Sequence, residues 1–136
     1  MKARTTLILF LTAIITLAAG SAFGKYSGGT GEPNDPYQIA TKADLLALAA
    51  DANDYSKNFV LTADVNMEGQ VFTTAIIAAD TNSSSGFQGT TFVGTFGGDS
   101  HKITHFTIND GSNGYLRLFG QIGFGGLVKN LGFENQ

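Results

Sequence analysis

The chain has 136 residues, which is enough for one domain, and its formal net charge at pH 7 is −3. An acidic chain has no electrostatic attraction to nucleic acid or anionic lipid, so the composition excludes both as partners held by charge. The sequence contains no cysteine and 18 glycines. Disulfides therefore do not hold the domain together, and the glycine content favours short strands joined by tight turns.

The N-terminus has the pattern of a secretory signal peptide. Lys2 and Arg4 precede the apolar run Leu7–Ala19, and small residues follow it. This run is shorter than the roughly 20 residues that a membrane-spanning helix needs, so an uncleaved anchor is the less favoured alternative. We predict a signal peptide at residues 1–24 and an exported chain at residues 25–136 that is not held in the membrane. Loss of the two basic residues changes the net charge from −3 to −5.

The first predicted elements of the exported chain are a leader and a helix. Residues 25–36 are rich in Gly, Pro and Asp, which predicts an extended leader. Thr41 and Asp44 have the spacing of a capping box, and they predict a helix over residues 42–53. Its apolar residues recur at i, i+3, i+4 and i+7, namely Leu45, Leu48, Ala49 and Ala52. We predict that this helix covers the apolar end of a stack of β-coils.

The next segments predict strands. Asn58–Glu68 alternates apolar and polar residues, which predicts one strand with one buried face. Phe72–Ala79 is a second apolar run, and residues 80–89 have the composition of a loop. Phe92 and Phe96 are predicted to share one face of the following strand.

The C-terminal part of the sequence reads as an internal repeat with an offset of 25 residues. The first copy contains Gly98, Ile103, Phe106 and Ile108, and the second contains Gly123, Val128, Leu131 and Phe133. An apolar spacing of 3 and then 2 fits neither a continuous strand nor a helix. It fits a short strand that turns a corner and resumes. Repeats of this length predict a solenoid of stacked units.

Residues 116–133 resemble the GLUG motif of bacterial exported and surface proteins. The stretch that carries the resemblance is LFGQIGFGGLVKNLG, at 118–132. Four upstream segments are similar to the leader of the same proteins: Pro36–Ile39, the helix that contains Asp44 and Leu45, Phe59–Asp64 and Phe92–Ile103. The resemblance implies a mainly β fold, a right-handed parallel β-helix in which residues 25–136 form the N-terminal cap and first coils.

Three departures from that family pattern bear on the interpretation. Arg117 stands where the motif has its first glycine, and Gly97 stands where related sequences carry Asp. Only one copy of the motif is present, whereas related proteins run on through several. The chain is therefore expected to be the N-terminal fragment of a longer protein.

Few side chains suggest a metal site. His101 and His105 are the only histidines, and on a straight strand they would share a face beside Asp99. The predicted corner separates them, and a catalytic zinc site needs a third ligand, so we interpret them as surface or turn residues. Asp80, Asn82 and Asp99 can offer oxygen ligands to calcium, but their spacing matches no EF-hand loop and turn chemistry explains them equally well. We assign no metal ligand and no cofactor, with calcium as the alternative.

The remaining polar residues suggest no catalytic arrangement. Glycoside cleavage needs converging acids and bases, and here the candidates are scattered: Asp64, Glu68, Asp99 and Lys102. The glycines at 120, 123, 125 and 126 lack the Lys-Ser/Thr ending of a phosphate loop, so we assign them to strand corners. Asn130 is interpreted as an internal residue that bonds its counterpart in a following coil.

These observations lead to one main hypothesis and two alternatives. The main hypothesis is an exported, non-catalytic β-helix repeat module with a structural or adhesive role at the cell surface. Its expected partners are surface glycans or other proteins, with self-association through an open C-terminal coil. One alternative is the N-terminal part of a polysaccharide lyase, hydrolase or protease whose catalytic region lies elsewhere. The other is a gene remnant without function.

The signal-peptide hypothesis predicts where the exported chain begins. Because small residues stand at positions 22 and 24, cleavage is expected before Lys25. N-terminal sequencing of exported protein is the measurement, and Lys25 is the expected first residue. Exported material that retains Met1 would contradict the hypothesis.

Overall fold

The computed structural model describes residues 24–82, 84–109 and 117–134, and over these residues the chain is mainly β, with parallel strands and one α-helix. The predicted signal peptide up to residue 23 lies outside the described residues, as does residue 116 of the GLUG-like segment. The elements are β1 Tyr37–Ile39, α1 Lys42–Ala50, β2 Asn58–Leu61, β3 Val65–Asn66, β4 Val71–Phe72, β5 Thr95–Gly97, β6 Lys102–Thr104, β7 Thr107–Ile108, β8 Leu127–Lys129 and β9 Gly132–Glu134.

The strands form three sheets, and every paired strand in them is parallel to its neighbour. The first sheet has the order β1-β2-β5-β8, the second β3-β6-β9 and the third β4-β7. The chain visits the first, second and third sheets in β2, β3 and β4, and it repeats that order in β5, β6 and β7. Each parallel pair is therefore joined by a long connection that carries the other strands, as parallel pairing requires.

Parallel pairing places residues of like character above one another in columns. In the first sheet, Tyr37 pairs with Phe59, Phe59 with Phe96, and Phe96 with Val128. The rings of Phe59 and Phe96 are stacked with their centroids 6.4 Å apart. Val65 and Ile103 form the corresponding column of the second sheet. Phe59, Phe96, Val65 and Ile103 are buried in the hydrophobic core, and Tyr37 and Val128 are partly buried against it.

The predicted strand Asn58–Glu68 is wrong as a single element. The chain forms β2 in the first sheet, bends at Thr62 and Ala63, and then forms β3 in the second sheet. The predicted alternation of burial is confirmed, since Phe59, Leu61, Val65 and Met67 are buried. Leu61 and Val65 lie an even number of residues apart, so the corner preserves the period of two and leaves no mark on the hydrophobic pattern.

The 25-residue repeat offset is also wrong as a structural register. Ile103 pairs with Phe133, and Phe96 pairs with Val128, so residues stacked in adjacent strands are 30 and 32 positions apart. The predicted offset had matched Ile103 to Val128, which lies in a different sheet. The corners and loops differ in length each time the chain passes through the three sheets. A fixed sequence offset therefore does not describe the pairing.

Local signals place the start of helix α1 correctly. Thr41 is the N-cap, and the capping box with Asp44 is present. Leu45 and Leu48 are buried in the core, so the helix is docked. The helix ends at Ala50, before the predicted residue 53, because the next residue has an extended backbone and a short 3₁₀ turn follows at Ala52–Asp54.

Asp44 ties the helix to the leader. Its Oδ2 accepts hydrogen bonds from Ser27 Oγ at 2.6 Å, Ala40 N at 2.9 Å and Thr41 N at 3.0 Å. Burial acts to raise the pKa of Asp44, but these hydrogen bonds outweigh it and hold the pKa below its usual value of 3.8. The charged form of Asp44 therefore stabilises the folded state.

Substitution of Asp44 by Asn is expected to destabilise the protein in a pH-dependent way. A depressed pKa contributes stability that is present above the ordinary pKa of 3.8 and lost as the pH falls through the lower, folded-state pKa. We expect a loss of about 2 kcal/mol near neutral pH, because hydrogen bonds to a charged group are each worth roughly 1.5–3 kcal/mol. The deficit relative to wild type is expected to shrink below pH 3.8.

Urea unfolding of both proteins between neutral and strongly acidic pH measures this difference. Asp99→Asn is the matched control, because Asp99 is exposed and Asn tolerates its positive φ of 47°. A deficit for Asp44→Asn that stays constant with pH would contradict the assigned role of the carboxylate.

Gly98, after β5, allows close approach of the backbone between β8 and β9. A Cβ at this position would lie 2.1 Å from Asn130 O and 2.5 Å from Leu131 Cα, both in the backbone. The neighbouring Gly97 differs, because the nearest atom to its Cβ position is Phe59 O at 3.7 Å, an ordinary contact. The two adjacent glycines thus form a matched pair.

Gly98→Ala is expected to destabilise the protein by about 1–3 kcal/mol, as overpacking against backbone typically does. Gly97→Ala is expected to change stability by less than about 1 kcal/mol, because its methyl group meets no close atom. Thermal or urea midpoints of the two variants measure the difference. Equal effects in both would show that Gly98 and Asn130 are not in close contact.

Candidate functional site

At the C-terminal end of the described sheets, the last side chains of the inward-facing columns are exposed to solvent. Ile103 is 0% exposed, whereas Phe133, which pairs with it in the next strand, is 53% exposed. Phe92 is 0% exposed, and its bridge partner Ile122 is 45% exposed. These side chains occupy the same kind of position as the core residues before them. They are exposed because no described residue lies over them.

The same end presents two sheet edges. β8 is the last strand of the first sheet and β9 the last strand of the second, and each has one partner among the described residues. The outward N–H and C=O groups of such edges favour pairing with another strand. We define the C-terminal face as these edges with the apolar side chains around them: Ile122, Phe124, Leu127, Val128, Leu131 and Phe133.

Large apolar side chains are concentrated on this face. Among the described residues, six large hydrophobic side chains are exposed: Val71, Val93, Ile122, Phe124, Leu127 and Phe133. Four of the six belong to the C-terminal face. Large apolar side chains exposed on one face are a feature of interaction surfaces.

The opposite end of the first sheet is covered. The leader forms an antiparallel bridge to β1, with Gln38 N donating to Gly28 O at 2.8 Å and Ser27 N donating to Gln38 O at 3.1 Å. Tyr26 is buried, and its ring lies 4.6 Å from that of Tyr37, measured between centroids. The outer edge of β1 therefore has partners that β8 lacks within the described chain.

Ion pairs fix the leader in place. Lys25 Nζ lies 2.6 Å from Asp51 Oδ2 and 2.6 Å from Asp54 Oδ2, and Tyr26 OH donates to Asp54 Oδ2 at 2.7 Å. Burial opposes the charge of Lys25, but these two carboxylates raise its pKa above the usual range. Burial and the hydrogen bond to Asp54 also raise the pKa of Tyr26. The first residues of the predicted exported chain are thus bound to the segment that follows α1.

The two histidines have different partners. His101 Nδ1 lies 3.4 Å from Asp64 Oδ1, and the same oxygen accepts a hydrogen bond from Lys102 N at 3.0 Å. This backbone hydrogen bond is the main cause of the lowered pKa of Asp64. His105 has a φ of 54° and its Nδ1 lies 3.0 Å from Thr104 Oγ1. Over the described residues, no group of three His, Asp or Glu side chains is placed to hold a metal ion.

The candidate calcium ligands have local structural roles. Asp80 Oδ1 accepts a hydrogen bond from Gln88 N at 3.0 Å, and Asn82 Oδ1 accepts one from Ser84 N at 2.8 Å, so both organise the predicted loop. Asp99 lies in the tight turn between β5 and β6. In that turn the φ angles of Asp99 and Ser100 are both positive, as in a type I′ turn.

Of the four scattered acid and base candidates, two contact each other through the backbone. Lys102 N bonds Asp64, as described above, while Lys102 Nζ pairs with Glu134 in β9. This pairing is the main cause of the raised pKa of Lys102. Glu68 is exposed, and its carbonyl accepts a hydrogen bond from Lys42 Nζ at 2.9 Å. These contacts join strands and helix.

The interpretation of Asn130 as an internal residue is wrong. Asn130 is exposed and has a φ of 52°, at the corner between β8 and β9. Asn is among the non-glycine residues that best tolerate this left-handed conformation, so its identity was a signal for a corner. The glycines nearby behave partly as predicted, since Gly125 has a φ of 87° in a turn, whereas Gly120 allows close approach to Ala78 O.

An open surface cleft of about 440 Å³ lies beside the loop. Its lining combines one aromatic ring with polar side chains and backbone: Thr73, Thr74, Ala75, Asp80, Phe87, Arg117, Gly120 and Gln121. An aromatic ring with hydrogen-bonding groups around it suits a polar ligand that also has apolar faces. Sequence reasoning did not identify this cleft, because its residues come from three separate segments.

Comparison with known proteins gives two relatives and no family. The chain is 28% identical over 124 residues to Halomucin from Haloquadratum walsbyi, and the match covers 85% of this chain and 1% of that protein. It is 30% identical over 129 residues to a protein of Evansella cellulosilytica described as a Gly-rich membrane protein, which covers 91% of this chain and 14% of that protein. The chain therefore spans only a small part of these relatives.

No family model matches the chain, and no solved structure matches it. The resemblance to GLUG-motif proteins accordingly stays a prediction. Among the described residues, no helix has the length and apolar character needed to cross a membrane.

Proposed function

We propose that the chain is a capped, right-handed parallel β-helix module with a structural or adhesive role in an exported cell-surface protein, and that it is not itself catalytic. The observation that carries this proposal is the repeated passage of the chain through three parallel sheets in the same order. In a β-helix each coil contributes one strand to each sheet, which produces this order.

The column structure supports stacking of coils. Inward positions of successive strands are apolar in each sheet, as in the column of Phe59, Phe96 and Val128. The right hand follows from the general rule that parallel strands of one sheet are joined by right-handed crossovers in about 98% of cases. Helix α1 and the leader then act as the cap that a solenoid needs at its first coil.

The surface role draws on the sequence and on the relatives. The predicted signal peptide would direct export, and the two relatives are Halomucin and a protein described as a Gly-rich membrane protein. Both relatives are far longer than this chain, which favours a module repeated or combined within a large protein. The resemblance to GLUG-motif proteins agrees with such a module. The polar residues weighed as catalytic or metal-binding groups, such as Asp64 and Asp80, bond the local backbone, which supports a structural role.

An adhesive role would use the open cleft. Phe87 offers an apolar ring surface, while Gln121 and Thr74 offer hydrogen-bonding groups in the same lining. Sugars present both apolar faces and hydroxyl groups, so surface glycans are the ligand class that this lining suits best.

The proposal predicts a gradient of stability along a column. Ile103→Ala is expected to cost about 2–5 kcal/mol, because Ile103 is buried between two neighbouring strands. Phe133→Ala in the same column removes a larger side chain, but it is expected to cost less because Phe133 is 53% exposed. Urea unfolding measures both, and hydrogen exchange is expected to be slowest in β2 and β5. An equal or larger cost at Phe133 would contradict stacking in this order.

The location is tested on intact cells that produce the protein. Protease treatment or antibody labelling of unbroken cells is expected to reach the module, with a cytoplasmic protein as the control that stays protected. Recovery of the protein only after the cells are broken would contradict the surface role while leaving the fold proposal intact.

A further inference from the structure

A second, smaller concavity, the outer groove, lies on the outer face of the first sheet. In β2 and β5 the side chains of Phe59 and Phe96 point inward, so the residues on either side of them point outward. The outer groove has a volume of about 160 Å³. Since a cavity of about 150 Å³ holds one molecule of the size of benzene, the outer groove holds one small group. It is lined by Pro33, Pro36, Asn58, Phe59, Val60, Thr95, Gly97 and Lys129.

The leader forms one wall of the outer groove and is hydrogen-bonded to the sheet. Gly31 O accepts hydrogen bonds from both Asn58 N and Asn58 Nδ2, each at 3.0 Å. These bonds hold the leader beside β2, where Pro33 and Pro36 line the groove. Proline has a fixed φ and no backbone N–H, so this wall is rigid and apolar before any ligand binds.

Gly97 creates the space in the floor of the outer groove. Val60, Gly97 and Lys129 are in register across β2, β5 and β8. A Cβ at Gly97 would lie 3.9 Å from Lys129 Cε and 4.0 Å from Val60 Cγ2, so both side chains border the space that the glycine leaves. The lysine stem adds apolar surface, and its ammonium group adds a positive charge. Among the described residues that line the groove, none is acidic.

These features select a ligand that carries a branched aliphatic group beside a carboxylate. The aliphatic group fits against the two prolines and Val60, and the carboxylate pairs with Lys129. Asn58 and Thr95, which are in register with each other, offer an amide oxygen and a hydroxyl for a peptide group. A free amino acid would bring an ammonium group for which this lining has no acidic partner. A simple aliphatic acid would leave the amide oxygen and the hydroxyl without a partner from the ligand.

The C-terminal residue of a polypeptide supplies the aliphatic group, the carboxylate and the peptide group together. We infer that the outer groove binds the C-terminal residue of a partner protein, with an aliphatic side chain such as that of leucine in the groove and the carboxylate at Lys129. This site is separate from the cleft beside Phe87 and takes a different ligand. A further strand beside β8 would lie in the plane of the sheet, about 4.8 Å away, and would leave the outer face open.

NMR titration of the isotope-labelled exported chain with the peptide Ac-Ala-Ala-Ala-Leu tests the inference. The amide signals of Val60, Gly97 and Lys129 are expected to shift and to saturate. The same peptide with an amidated C-terminus is expected to bind at least ten-fold more weakly, because it has no carboxylate for the lysine. Added salt is expected to weaken binding of the free peptide more than that of the amidated one.

Three variants separate the charge from the space. Lys129→Met keeps a stem of similar length without the charge, and it is expected to raise the dissociation constant of the free peptide at least ten-fold without changing that of the amidated one. Lys42→Met is the matched control, because Lys42 Nζ donates to Glu68 O outside the groove, and it is expected to change neither. Gly97→Ala places a methyl group in the groove without a close protein contact, and it is expected to weaken both peptides at least three-fold.

Several outcomes would overturn the inference. They are the absence of a saturable shift, shifts confined to the cleft beside Phe87, and equal weakening of binding by Lys42→Met. Isocaproate that binds as tightly as the peptide would also overturn it, since the site would then take free aliphatic acids. None of these outcomes depends on the stacking of coils or on the surface location, so the proposed function is tested separately.

Discussion

Parallel register is the constraint on which the rest of this structure depends. Because every paired strand runs in the same direction as its neighbour, a residue in one strand lies over a residue of the same orientation in the next. Phe59 is therefore in contact range of Phe96 on one side and of Tyr37 on the other, with ring centroids 6.4 Å and 5.5 Å away. Each inward position has to be apolar, and the middle strands of a sheet, such as β2 and β5, have such neighbours on both sides.

The corners between strands make this register possible. Over the part of the chain that the structure describes, five non-glycine residues have positive φ angles: Ala78, Asp99, Ser100, His105 and Asn130. Several of these stand at corners, where a left-handed residue turns the chain from a strand of one sheet toward the next sheet. Such conformations are unfavourable for most side chains, and the stacked strands on either side compensate for that cost. Corners and register thus depend on each other.

Sequence reasoning succeeded where the determining interaction was local. The capping box of Thr41 and Asp44 needs only three residues of spacing, and it placed the start of α1 correctly. The alternation around Phe59 and Val65 gave the right buried residues, because inward orientation depends on parity alone. It did not reveal the bend between them, because the corner keeps that parity.

The register itself was not predictable from one sequence. Tyr37 and Phe59 are stacked although 22 positions apart, whereas Phe96 and Val128 are stacked at 32. Corners and loops of different length are tolerated on the surface, so spacing along the chain carries little information about pairing. The cleft beside Phe87 was missed for the same reason, since its lining is assembled only once the passages are stacked. Asn130 is a different case. Its corner was predictable locally, because Asn is one of the few non-glycine residues that tolerate a left-handed backbone.

The two ends of a stacked structure pose one physical problem that this chain solves in two ways. At the first strand, the hydrogen bonds of Gln38 to the leader complete the edge, and Leu45 and Leu48 of α1 complete the core. That solution uses residues close in sequence to β1, so it is available as soon as the segment folds. At the last described strands, the apolar columns continue to the surface in Phe133 and Ile122.

A terminal cap would require polar or charged groups at those positions, and the charges nearby are instead paired with or lie over the preceding strands. Phe133 and Ile122 are therefore side chains of the kind that a core layer carries, since each pairs with a fully buried residue. This is why contact with more β-structure, and not exposure to water, is the state that this surface favours.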